Sequence, residues 1–216
     1  MSLLPLALVI LAAFIHATWN LLAKRAASGG PAFVFASNFI ACVAYLPWVG
    51  WVLVHNAQSW SLPVAGCVVL SAVLHLGYSL CLQRGYQVAD LSVVYPIARG
   101  TGPMLSSIGA FMLLRETPSV QGIVGLLAVV AGLGFISTQG DLSAFRKARG
   151  LDGVRWGGAT GSLIAGYTVV DGYGIKLLGI HPVVLDWFAN VIRFFMLAAI
   201  VLPNAALARE RMKGHW

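Results

Sequence analysis

Charge is what this sequence has least of: Asp, Glu, Lys and Arg make up 10% of 216 residues against 59% hydrophobic ones. A soluble domain carries roughly a quarter charged residues and about half apolar ones, so water is excluded as the main solvent of this chain. Cysteine is scarce too. Cys42, Cys67 and Cys81 are the only three, each lies inside an apolar stretch, and no C-x-x-C occurs, so they read as inert thiols, not as a disulfide framework or metal site. There is no H-E-x-x-H, no G-x-S-x-G and no paired-carboxylate pattern, which leaves no catalytic residues, metal or cofactor to assign and argues against an enzyme. Acidic side chains are so few that the net charge is +7. The basic residues nevertheless sit in short loops beside apolar stretches, which excludes a nucleic-acid footprint and fits the charge bias of membrane topology.

Long apolar runs are what the sequence has instead. A bilayer core about 30 Å thick needs roughly 20 apolar residues per helix, and seven stretches qualify: Leu3 to Ala23, Phe33 to Val54, Pro63 to Leu82, Leu91 to Leu114, Val120 to Ser137, Trp156 to Lys176 and Val183 to Leu202. Trp48, Trp51, Trp60 and Trp156 fall at or beside their ends, at headgroup level. Lys24 and Arg25 follow the first stretch without a small-residue cleavage site, so it reads as a retained helix, not a signal peptide. The expected fold class is therefore all-α, a polytopic helical membrane protein of about seven transmembrane helices.

A weak internal repeat runs through the chain. LAAFIHATWNLLAK followed by GGPAFVFASNFIACVAYLP (11 to 47) parallels SLIAGYTVVDGYGIK followed by HPVVLDWFANVIRFFMLAAIVLP (162 to 203), with Lys24 opposite Lys176 and Pro31 opposite Pro182. Five spans separate the copies, so they point in opposite directions, as inverted transporter repeats do.

Residues 86 to 137 resemble the last two spans of an EamA-like repeat in the drug/metabolite transporter superfamily. They share a small-polar entry, an early proline in the fourth span (Pro96), a Glu at the turn (Glu116) and a glycine-rich fifth span (Gly125, Gly132); HATWNLLAK at 16 to 24 resembles the end of that family's first span. The resemblance implies an inverted-repeat fold with an incomplete second repeat. Residues 1–138 would be a first five-helix repeat, 139–155 a basic connecting loop, 156–203 the first two helices of the second repeat, and 204–216 a polar tail. It also implies a chain about three spans short of the usual ten. Sidedness is assigned in two conflicting ways. Of the fourteen Lys and Arg, ten lie on one side by alternate loops, Arg115 and Lys176 on the other, and Arg99 and Arg193 inside spans; this count puts the N-terminus outside, whereas the resemblance implies an N-terminus in the cytoplasm.

Arg99 is the sharpest candidate. It lies well inside the fourth span between Pro96 and Pro103, beside Gly100 and Gly102, where a charged side chain is costly unless it meets a wet cavity or a partner. The prolines predict a broken helix whose freed N–H groups, with the guanidinium, suit a carboxylate, phosphonate or phosphate; the bland alternative is an arginine clamped to carbonyls or a carboxylate. Ser92, Tyr95, Arg99, Gly102 and Ser106 share one face. His16 with Asn20 in the first span, and Ser71, His75 and Ser79 with Tyr78 in the third, are candidates for the same cavity, with interhelical hydrogen bonding as the alternative. His16 and His75 are also candidates for carrying a proton, and Trp19, Tyr78 and Tyr95 for an aromatic wall. Asp171, before Gly172 and Gly174, is expected in an unwound, wet exit; Arg193 is expected to pair structurally with Asp186, with an ion or proton site as the alternative; Gly158, Ser162 and Gly166 read as a close helix contact.

The function these features point to is secondary transport, as exporter or exchanger, of a small polar or anionic metabolite. The substrate-binding candidates are Arg99, Tyr95, His16, Asn20, Trp19, His75 and Tyr78, and LSVVYPIARG with HATWN looks closest to a branch associated with phosphonate use. The expected partners are the lipid bilayer and a small-molecule substrate, and the expected location is a bacterial inner (plasma) membrane. The alternative is a truncated membrane scaffold that folds or oligomerises, as a homo-oligomer, without a complete pathway.

Overall fold

The computed structural model describes residues 3–113, 119–138 and 148–212. Among them the chain folds as eight α-helices with short connections and no strand: α1 (Leu3–Arg25), α2 (Pro31–His55), α3 (Leu62–Val88), α4 (Leu91–Leu113), α5 (Val120–Thr138), α6 (Ala148–Lys176), α7 (Pro182–Val201) and a short α8 (Ala205–Met212). The expected turn at Arg115 and Glu116, the basic residues Arg146 and Lys147, and Lys213 lie outside the described residues.

Helix starts follow local chemistry. Pro63 stands in the first turn of α3, behind Ser61, whose Oγ accepts from the Val64 N–H. In α7, Pro182 follows His181, whose Nδ1 accepts from Val183. A proline there forfeits no intrahelical bond. The two sharp turns use glycines at positive φ, Gly30 (+52°) before α2 and Gly179 (+67°) after α6, a region that side chains with a Cβ avoid.

Among the described residues four helices are both long and apolar enough to cross a bilayer: Leu4–Arg25, Pro31–His55, Leu62–Val88 and the α7–α8 run Pro182–Glu210. α4, α5 and α6 reach 23, 19 and 29 residues, adequate at 1.5 Å per residue, with glycine, proline and hydroxyl side chains diluting α4 and α6. Packing directions settle their course. Opposite Gly153, Gly157 and Gly161 of α6 stand Val93, Ile97 and Thr101 of α4, in the same order, so α4 and α6 run parallel. Two parallel helices on either side of α5 require α5 to carry the chain back across the layer. Against α3, α6 runs antiparallel: Cys67 lies near Gly174, Gly77 near Leu163 and Gly85 near Trp156. α6 begins at Ala148 rather than Trp156 because the turn containing Gly153 still packs, a Cβ there falling 2.7 Å from Val93 Cγ1 and 3.4 Å from Ala89 Cβ.

The protein turns its apolar side chains outward. Leu4, Phe14 and Leu127 are 69%, 68% and 63% exposed, a surface that only lipid could cover. Its interior holds polar groups, among them Asn20, Asn38, Ser71, Gln83, Thr160 and Asn190. This is an integral membrane protein.

The glycine contact of α6 is not where sequence spacing put it. A Cβ on Gly161 would lie 2.6 Å from Thr101 Cβ and 2.9 Å from the Ala98 carbonyl, and one on Gly157 3.0 Å from the Val94 carbonyl. Gly158 has open space, Gly166 makes an ordinary contact with Leu74, and Ser162 is exposed. Close approach therefore runs along Gly153, Gly157 and Gly161, one step round the helix from the expected stripe, because α4 and not lipid occupies that side.

α2 and α7 also pack antiparallel, and their contact is two-fold in form. Asn38 Nδ2 donates to Asn190 Oδ1 at 2.8 Å, across a separation of 152 residues. Phe35 stacks on Phe194 at 5.0 Å, and Trp187 Nε1 donates to the Cys42 carbonyl at 3.0 Å. Adding 152 to Phe35, Asn38 and Cys42 gives Trp187, Asn190 and Phe194, so each contact maps onto itself or onto the other, the mark of a self-complementary interface.

α1 is held chiefly at its end. The Tyr86 hydroxyl donates to Asn20 Oδ1 (3.0 Å), Lys24 Nζ donates to the Tyr86 and Ala89 carbonyls, and Gln83 and Gln87 donate to the Ala26 and Ala27 carbonyls at 3.1 and 2.7 Å. An ammonium on the last carbonyls of α3 complements that helix's negative end.

Candidate functional site

α4 decides the chemistry around Arg99, and it is continuous through Pro96 and Pro103, so the expected break is absent. A proline inside an unbroken helix removes a donor and orphans the carbonyl four residues earlier. The groups released here are the carbonyls of Ser92 and Arg99, both acceptors. No freed N–H joins the guanidinium, contrary to the expectation for an anion cradle, and any anion must be held by the side chain itself.

Arg99 is half-buried as a residue, and its guanidinium meets an exposed His16. Its Nη2 lies 2.8 Å from His16 Nε2 of α1, its Cζ sits 5.4 Å from the centroid of the Tyr95 ring, and the Tyr78 hydroxyl is beside it. Arginine only donates, so His16 Nε2 accepts and this imidazole is neutral with its proton on Nδ1. Among the described residues no carboxylate lies within 4.0 Å of Arg99.

Four of the seven predicted site residues thus meet: His16, Tyr78, Tyr95 and Arg99. Asn20 stands apart, its amide bridging the His16 carbonyl (2.7 Å) and the Tyr86 hydroxyl. Trp19 stacks on Phe33 of α2 at 5.8 Å and is 47% exposed, so the expected wall of Trp19, Tyr78 and Tyr95 does not form as a unit. His75 is linked to the others through Tyr167 of α6, whose ring centroid lies 3.9 Å from that of His75 and 5.6 Å from that of Tyr78.

Two residues change role or enter. Asp171 is inside a continuous α6, not in an unwound exit: Ser71 Oγ donates to its Oδ1 at 2.6 Å, and His75 Nε2 stands 3.6 Å from its Oδ2. Tyr167 was missed by sequence reading; its signal is the four-residue step to Asp171, matching the step from Ser71 to His75 on the helix it faces. On the far side, the expected Arg193–Asp186 pair is a relay. Arg193 donates to Asn190 Oδ1, and Asn190 Nδ2 donates to Asp186 Oδ2 at 3.1 Å. Sequence spacing found the three residues, but the middle amide takes the position a direct ion pair would need.

An apolar groove of about 490 Å³ lies elsewhere, between α2, α7 and α8, lined by Phe35, Phe39, Phe194 and Met212 among others. None of the polar site residues described above lines it.

The EamA-like transporter family matches residues 3–138. The chain belongs to the EamA-like transporter family. Two curated relatives are multidrug resistance protein EbrB of Bacillus subtilis (strain 168), 40% identical over 78 residues, and EbrB of Bacillus atrophaeus, 37% identical over 78 residues. Each match covers 35% of this chain and 60% of the relative, so the chain spans less than two thirds of the proteins it resembles. No solved structure matches it significantly. Membership in a transporter family points to a membrane transporter, not to an enzyme, and to a bilayer environment.

Proposed function

We propose that this family member is a secondary transporter, an exporter or exchanger in a bacterial inner membrane, that moves a small polar or anionic metabolite past the face where α1, α3 and α4 meet. The observation that carries the reading is Arg99: a permanent cation within a membrane helix whose nearest side chains are a neutral imidazole and tyrosines. Such a guanidinium keeps donor capacity for a planar anion, and a polar group that the bilayer would otherwise penalise is expected to serve a pathway. We further propose that residues 1–138 form one repeat, that 156–203 are the first two helices of an inverted second repeat, and that 139–155 connect them. The antiparallel, two-fold contact of α2 with α7 supports this arrangement, since symmetry-equivalent helices meet on the axis relating them. A second reading, drug efflux, draws on the names of the two curated relatives and on the tyrosines beside Arg99.

Thermal unfolding in detergent, with a panel of carboxylates, phosphates, phosphonates and drugs, tests both readings. Anion transport expects anions to stabilise the parent, Arg99→Lys to weaken that shift by losing the planar fork, and Arg99→Ala to abolish it with only a moderate change in the unliganded melting temperature. Stabilisation by drugs alone favours efflux. A parent stabilised by nothing, with a strongly destabilised Arg99→Ala, supports a structural clamp and the scaffold reading.

A further inference from the structure

The cluster where α3 crosses α6 is joined to the Arg99 site through Tyr167 and Tyr78. His75 is the midpoint of α3, deep in the layer. Its Nε2 faces Asp171 Oδ2 at 3.6 Å, just beyond hydrogen-bond length, and its Nδ1 is buried with no partner. Ser71 Oγ, 1% exposed as a residue, donates to the other oxygen of the same carboxyl.

We propose that Asp171, with His75 as its proton donor and acceptor, is the site at which this protein takes up and releases a proton during transport. The inference rests on the transporter reading of the Arg99 face. The step is the net uptake of one proton: starting from neutral His75 and the Asp171 carboxylate, a proton from water binds the imidazole at Nδ1, the Nε2–H passes to Asp171 Oδ2, and neutral imidazole with its proton on Nδ1 and a carboxylic acid remain; release reverses these transfers and restores the carboxylate. Geometry favours it in three ways. Among the described residues the only cationic group within 4.0 Å of Asp171 is a histidine, whose charge can be switched, unlike that of an arginine. Ser71 fixes Oδ1 and leaves Oδ2 toward His75. Tyr167 lies against the His75 ring and against Tyr78, which is beside Arg99, so a continuous line of side chains joins the pair to the anion site.

Titratable and charged groups face the pair from three helices. On α3 the group is Cys67; on α6, Tyr167; on α7, Asp186 and Arg193 act from further off, the arginine held by Asn190. Asp186 and Arg193 offset each other in sign, and neither touches Asp171, so the pair can change charge without a fixed counter-ion locking it.

Infrared difference spectroscopy of the full chain in detergent, taken between alkaline and acid buffer, reads the carboxyl directly. The parent is expected to gain a protonated-carboxyl band on acidification. Asp171→Asn should lose it, Ser71→Ala should shift its frequency by removing the hydroxyl donor, and His75→Gln should move the pH at which it appears. Helix content by circular dichroism checks that each variant folds, and Ser71→Ala, the mildest change, keeps the test alive if Asp171→Asn does not. A band that survives Asp171→Asn unchanged, or a parent and Ser71→Ala with identical spectra, overturns the proposal. Proteoliposomes separate this from the transporter reading. With methylphosphonate as probe, Asp171→Asn should lose uptake driven by a pH gradient while keeping exchange of labelled for unlabelled methylphosphonate at equal pH. Gradient-driven uptake retained in Asp171→Asn also overturns the proposal. A parent that moves no methylphosphonate in either assay counts against anion transport, and the infrared band still decides for or against Asp171.

Discussion

The two arginines inside the membrane helices have opposite surroundings. Arg193 of α7 gives its hydrogen bond to Asn190, which also binds Asn38 of α2 and Asp186, so its charge is tied into a relay that joins two helices. Arg99 of α4 meets His16 and the Tyr95 ring, neither of which carries a negative charge. The same residue type at similar depth is thus a cross-link in one place and an unneutralised cation in the other. Cost alone does not identify function: both arginines are expensive in a bilayer, and they differ in that only Arg193 is tied through an amide to a carboxylate.

The largest effect is expected where that contrast is broken at Arg193. Asn190→Leu removes the acceptor of Arg193 and the partner of Asn38 together, stranding a buried cation, which costs about 3 kcal/mol. The melting temperature in detergent should fall sharply. Replacing the cation as well, in Asn190→Leu with Arg193→Met, should restore much of the loss, because an apolar pair leaves no unpaired charge. If the double variant is as unstable as the single one, Arg193 does not depend on Asn190 for its stability, and the difference between the two arginines narrows.

Next in size is the packing that fixes Arg99. α4 lies on α6 through Gly153, Gly157 and Gly161, and a Cβ at Gly161 meets Thr101 Cβ at 2.6 Å. Gly161→Val should therefore cost about 2 kcal/mol by overpacking, and weaken any anion-induced thermal shift by displacing α4. Gly158→Val, on a side with nothing within 4 Å, should stay within about 0.5 kcal/mol of the parent. Equal effects from the two substitutions would mean that α6 is rotated about its axis, with Gly158 as close to a neighbour as Gly161.

These two glycines also mark how far the sequence could be read. Hydropathy alone located seven helices, because a bilayer imposes one length and one composition on each span. Which side of α6 faces α4 was not legible, since the small residues Gly157, Gly158, Gly161 and Ser162 supply two overlapping four-residue stripes and only the partner's position chooses between them. Arg99, Tyr95, Tyr78 and His16 could be found because polar groups are conspicuous in an apolar span. Asp171 could be found but not placed, because Gly172 and Gly174 suggest an unwound chain whereas Gly174 is needed for contact with Cys67 and Leu185. The broken α4 was misjudged for a related reason: two prolines weaken a helix, but packing along α6 keeps it whole.

The smallest expected effect asks whether Asn20 belongs to the Arg99 side at all. Asn20 is one turn from His16, which suggests a shared cavity, yet the residue is buried, its amide donates to the His16 carbonyl and its oxygen accepts from Tyr86. Tyr86→Phe removes only that hydroxyl. In a membrane such a bond is worth about 0.6 kcal/mol, so the melting temperature should drop slightly, the anion-induced shift should persist, and transport should be close to that of the parent. Lys24, Gln83 and Gln87 still hold the end of α1 in this variant, so a large loss of transport could not be blamed on a detached helix. Such a loss would mean that Asn20, once released from Tyr86, turns into the pathway and disturbs it, which would place Asn20 beside Arg99 and His16 in the site and take it out of the fixed framework shared with Arg193.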